Sequence, residues 1–128
     1  MKIILVDGTE LSPILVMGER RYVQRESRDT LTFIFPESAG LEVLDSLFTA
    51  ENCESMKQVG SDGTEYIHKG YTIRAELAKK PVQISEPTET ADAVYEHRIF
   101  VAMSQRTDLE NMVASNYAAI NALANGEG

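Results

Sequence analysis

Apolar residues recur at every second position in several stretches of this chain, the period of a strand with one buried face. In Thr30–Phe35, Leu31, Phe33 and Phe35 share one side, and Pro36 ends the run. A longer stretch places Ile67, Tyr71, Ile73, Ala75 and Leu77 on one face and Thr64, His68, Thr72, Arg74 and Glu76 on the other, as expected of a single long strand. Pro81, Pro87 and the polar run Ser85–Asp92 mark a loop. After it, Tyr95, His97, Ile99, Val101 and Met103 align on a last strand whose opposite face carries Phe100.

Two segments follow the helical period instead. Leu41, Leu44, Leu47 and Phe48 predict a short helix over about 40–50, with Ser38 as its cap and the sheet as its support. Near the C-terminus, Thr107 and Glu110 have capping-box spacing, and Leu109, Met112, Val113, Asn116, Ile120 and Leu123 trace a stripe. The expected organisation is a β domain over 1–106 followed by an amphipathic helix and tail over 107–128. The fold class is mainly β (α+β), an antiparallel β-barrel or sandwich with one crossover helix and one C-terminal helix.

The turns carry a repeat. Met1–Glu10 reads Met-Lys-Ile-Ile-Leu-Val-Asp-Gly-Thr-Glu, and Met56–Glu65 reads Met-Lys-Gln-Val-Gly-Ser-Asp-Gly-Thr-Glu. Asp-Gly between β-prone flanks predicts a hairpin at each copy, with a type I′ turn as the expected geometry. The arm after the first turn, about 10–17, contains Pro13 and is expected at a sheet edge. Identity stops at the tenth residue, so the repeat reads as shared turn chemistry rather than as a duplicated fold.

Composition narrows the function classes. The 128 residues, 43% hydrophobic and 25% charged, fit one globular domain. A net charge of −8 disfavours nucleic-acid binding, which depends on a basic surface. The lone cysteine, Cys53, reads as a buried hydrophobe, and the apolar run Ile3–Val6 is too short for a membrane span or a signal-peptide core. The expected setting is the cytoplasm.

Candidate chemistry is sparse. The two histidines, His68 and His97, have no Cys or His at ligand spacing, and the serines lack a nucleophile-elbow context, so neither catalytic residues nor a cofactor or metal are expected. Two rival readings stand beside a structural role. One is a small-ligand barrel lined by Tyr66, His68 or Tyr95; the other is a hydrolase using His97 with a carboxylate. The most distinctive local feature is the basic island Arg20-Arg21-Tyr22-Val23-Gln24-Arg25-Glu26-Ser27-Arg28, whose arginines Arg20, Arg21, Arg25 and Arg28 are candidate contacts for an acidic partner, including the Glu86–Glu96 region of a neighbouring copy. Phe100, Leu109, Val113 and Ile120 complete the candidate contact set.

The stretch Asp29-Thr30-Leu31-Thr32-Phe33-Ile34-Phe35-Pro36, the Leu-rich helix, Asp62-Gly63 and then Ile67-His68-Lys69-Gly70-Tyr71-Thr72-Ile73 resembles small barrel domains of bacteriophage tail and baseplate-hub proteins. It is also similar to short tail-module proteins of prophages in Gram-positive bacteria. The resemblance spans about 1–105 and implies a β-barrel or sandwich with a structural, non-enzymatic role. It further implies partners among other tail proteins or copies of the same chain, and a setting in the cytoplasm of the bacterial host cell or in the assembled virion.

Overall fold

The computed structural model describes residues 1–107, 109 and 110. The described residues form eight strands: β1 (Lys2–Ile4), β2 (Glu10–Leu11), β3 (Leu15–Val23), β4 (Glu26–Pro36), β5 (Ser55–Val59), β6 (Glu65–Lys69), β7 (Ile73–Ser85) and β8 (Val94–Ser104). A 3-10 turn (Glu37–Ala39) and the helix α1 (Leu41–Leu47) follow β4. The strands make two antiparallel sheets in the orders β2-β1-β5-β6 and β3-β4-β8-β7. Neither sheet closes on itself, so of the two expected architectures the fold is the sandwich rather than the barrel.

The two sheets share one internal symmetry. In the first, two hairpins meet through β1 and β5, with Ile3 opposite Gln58, and these residues are equivalent positions of the ten-residue repeat. The turns match atom for atom. Leu5 N–H bonds Thr9 O at 2.9 Å, as Gly60 N–H bonds Thr64 O at 2.8 Å. The side chains of Asp7 and Asp62 accept the N–H of Thr9 and Thr64 at 2.9 and 3.0 Å. Even the ion pairs repeat, Lys2–Glu10 at 3.3 Å and Lys57–Glu65 at 3.1 Å.

Each turn is a three-residue loop in which glycine alone takes positive φ, +89° at Gly8 and +85° at Gly63, and not the two-residue type I′ turn expected. The aspartates stay in the ordinary region because their carboxylates capture the threonine N–H.

The second sheet repeats the arrangement. The hairpins β3–β4 and β7–β8 join through β4 and β8, two 11-residue strands that begin 68 residues apart. Phe33 lies opposite Val101, which is also its equivalent at that offset. Leu41 opens α1 after β4, and Leu109 lies in the helical turn after β8 at the same offset. Topology is therefore duplicated where sequence identity is not, which corrects the expectation of turn chemistry alone. Inward positions need only be apolar, and Leu31, Phe33 and Phe35 answer to Ile99, Val101 and Met103 without one identity, all six buried.

The core lies between the sheets and is closed by α1. Leu44 and Phe48 are buried, and the Phe48 ring sits 5.2 Å from Phe33 and 5.8 Å from Phe35. The helix is shorter than expected, and Gly40 rather than Ser38 occupies its N-cap, with no side-chain cap bond. Leu41 faces outward.

Three further expectations change. The island at Arg20–Arg28 is part of a hairpin, whose two-residue turn holds Gln24 at φ 50° and Arg25 at φ 67°. The stretch Ile67–Leu77 is not one strand: Gly70, at φ 79°, breaks it, so that β6 belongs to the first sheet and β7 to the second. As a result Ile67 is exposed, whereas Leu77 packs on the core. Likewise the arm around Pro13 divides. Leu11 pairs at the edge of the first sheet, and β3 crosses to the second.

Pro81, expected to mark a loop, lies instead within β7, where no strand among the described residues flanks its outer side. An edge tolerates the missing N–H. Beyond the Pro36–Arg98 pair, β7 and β8 leave the sheet and continue as a two-stranded ribbon through Gln83–Tyr95 to Ser85–Val94, closed by the loop 86–93.

Candidate functional site

The arginines of the island differ sharply in environment. Arg28 is buried; its Nε donates to Val23 O at 2.7 Å, and one terminal nitrogen donates to Gln105 O at 3.2 Å. Both terminal nitrogens also grip the Glu110 carboxylate, one at 2.9 Å to Oε2. Glu110 in turn accepts the Thr107 N–H at 2.8 Å, and its own N–H donates to Thr107 Oγ1 at 3.2 Å, which completes the expected capping box. The Arg28 bond and the Thr107 N–H hold the Glu110 carboxyl down at about 2.

Arg21 lies on the outer face of the second sheet, bonded to Glu19 at 2.7 Å and reaching Glu76 at 3.5 Å. Glu19 also accepts from Thr32 Oγ1 at 2.9 Å, so Arg21 and Thr32 together lower its carboxyl below the ordinary value. Arg20 pairs loosely with Asp29 at 3.5 Å, and both side chains are more than half exposed. Arg25 sits in the turn, with no ion pair among the described residues. The island is thus not four free cations: Arg21 and Arg28 are committed to structure, and Arg20 and Arg25 face water.

At the same end of the sheet, a cavity of about 320 Å³ opens between Arg20, Arg28, Asp29, Arg106 and Thr107. Arg106 lies two residues beyond the end of β8 and is exposed. Sequence reading did not single it out, because a lone arginine after a strand carries no periodic signal; the register of β4 with β8, Thr30 opposite Ser104, delivers it to the island.

The remaining candidates do not converge on one pocket. His68 bonds Gln58 Oε1 at 2.8 Å and lies edge-on to Tyr71, with burial lowering its pKa. Tyr66 is exposed on the edge strand β6, whereas Tyr95 stands on the ribbon of the other sheet. His97 is exposed opposite Pro81, without a hydrogen bond or ion pair among the described residues. Phe100 is half-buried on the outer face, with the Lys80 ammonium 5.0 Å above its ring. Leu109 is exposed, and Val113 and Ile120 lie outside the described residues. Cys53 is buried, as expected, which raises its thiol to about 12. Among the described residues no group of three His, Cys, Asp or Glu side chains could hold a metal, and no helix is long and apolar enough to cross a membrane.

Comparison with protein-family models, with curated proteins and with solved structures gives no significant match.

Proposed function

We propose that this chain is a non-enzymatic structural protein that assembles with copies of itself, in the manner of a small component of a phage or prophage tail. One observation carries the reading: the β7–β8 ribbon. From Pro81 to His97 it stands clear of the sheets, with Ile84, Val94 and Tyr95 exposed by 51, 48 and 60%. A two-stranded ribbon alone in water is marginally stable. Its exposed apolar strand residues and open edges gain most from a partner that supplies a further strand or an apolar surface.

Sedimentation velocity and light scattering across concentration test the proposal on the full chain. The expected result is a defined oligomer that dissociates on dilution. It should be lost when Ile84, Val94 and Tyr95 are replaced together by Ser. A species of monomer mass at every concentration refutes self-assembly.

A further inference from the structure

The ribbon tip and the arginine cleft lie at opposite ends of β8 and carry opposite charge. From its first residue at the ribbon, β8 runs 11 residues to Ser104, about 35 Å at strand rise, and the chain then enters the cleft through Gln105, Arg106 and Thr107. The loop 86–93 contains Glu86, Glu89 and Asp92 and no basic residue. Among the described residues the cleft is lined by Arg20, Arg28 and Arg106 and by the acidic Asp29, with the Glu110 carboxylate seated on Arg28 beside it, so arginine outnumbers carboxylate here in a chain of net charge −8.

We infer that the cleft between Arg20, Arg28 and Arg106 receives the acidic loop 86–93 of a second copy. The inference rests on the self-assembly reading and names its contact. Glu110 already shows the chemistry in place: a carboxylate held by the Arg28 fork and the Thr107 N–H at the edge of this cavity. With Arg28 so engaged, the incoming carboxylates meet Arg20 and Arg106. Arg20 is held by a 3.5 Å pair with Asp29 and by two 3.4 Å bonds to Ser27, all exposed and long, contacts of the kind that contribute little and that an incoming carboxylate can replace.

A rigid strand separates loop and cleft, so one chain cannot bring its own loop to its own cleft. The contact is heterologous, head to tail, and propagates to a ring or a filament according to the rotation between copies. This geometry differs from a face-to-face dimer, which would bury the same patch on both partners.

The test titrates full-length, isotope-labelled protein, kept dilute, with a synthetic peptide of residues 84–95. Expected are amide shifts at Ser27, Asp29, Gln105, Arg106 and Thr107, weakening steeply with salt. In the double variant Arg20→Glu/Arg106→Glu, affinity should fall about tenfold or more, since two attractive contacts become repulsive. A peptide with Lys at positions 86, 89 and 92 should restore binding to that variant. No shift at the cleft, or saturation by inorganic phosphate where the peptide has no effect, overturns the inference. Self-association that persists in the double variant with no peptide response removes the cleft and leaves the assembly reading standing. A monomer at every concentration removes the assembly reading and the occupant with it.

Discussion

Ile3 and Gln58 face each other at the centre of the first sheet, and Gln58 is the residue that answers to Ile3 in the ten-residue repeat. An antiparallel pair formed between equivalent positions is the mark of a local two-fold axis. The same relation holds between Phe33 and Val101 in the second sheet, so each layer of the sandwich is built from two hairpins related in the same way.

Equivalent turns should respond equally to equivalent changes. Gly8→Ala and Gly63→Ala each place a Cβ at positive φ with no neighbour to clash with, which isolates the backbone penalty. Each should cost about 1–2 kcal/mol. The double variant should show the sum, because the two loops share no partner. Urea denaturation checks this; unequal or strongly non-additive costs would show that the hairpins are not equivalent.

The Gln24-Arg25 turn has the positive φ values that Asn-Gly adopts far more readily. Replacing the pair, Gln24→Asn with Arg25→Gly, should stabilise the protein by about 1 kcal/mol. A raised urea midpoint at unchanged slope is the expected result. A lowered midpoint would mean that Arg25 contributes more through its side chain than its backbone costs.

Phe48 bridges α1 to both Phe33 and Phe35. Phe48→Ala should therefore destabilise by about 3–5 kcal/mol, the range for a large aromatic removed from a packed core. Leu41→Ala, on the exposed side of the same helix, should change stability by no more than about 0.5 kcal/mol.

The Arg28–Glu110 pair predicts an acid-sensitive limb. The Glu110 carboxyl titrates at about 2 in the folded chain against an ordinary 4.5. Its stabilisation is therefore complete above about pH 4.5 and disappears as pH falls toward 2. Glu110→Gln should lower Tm near neutral pH, and the gap to the parent chain should narrow on acidification. A gap that is independent of pH would rule out the ion pair as its source. For the same reason, removal of 107–128 should lower stability and not be neutral, since buried Arg28 would lose its carboxylate and the carbonyl of Gln105 would remain its main tether at that end.

Cys53 should be inert to a thiol reagent in the folded protein, because its thiol is buried and titrates near 12. Modification should proceed at the rate of unfolding, and rapid labelling under native conditions would contradict its burial.

The candidate contacts were legible in the sequence only as residue types. Four arginines in nine residues are visible in any reading. That Arg28 is buried against Glu110 on the outer face while Arg20 stays in water depends on the helical turn after β8, which leaves no periodic trace in the island itself. Arg106 is silent in the sequence for the same reason. Tyr95 and His97 continue the apolar-looking alternation of Ile99 and Val101, yet they are exposed, because they lie beyond the Pro36–Arg98 pair, where β8 has left the sheet and runs in the ribbon.

Alternation and turn chemistry were enough to determine strands around Phe33 and Val101, hairpins at both Asp-Gly pairs, and a helix placing Leu44 and Phe48 on the core. These depend on neighbours within a few residues. Only the tertiary structure decided that the two hairpins are halves of one symmetric sheet, that Gly70 sends β6 and β7 to different sheets, and that the ribbon and the arginine cleft stand at opposite ends of β8. Those outcomes come from pairing between residues far apart in the chain. Register between distant strands is settled by packing two apolar faces together, and residues of quite different identity can satisfy that requirement equally well.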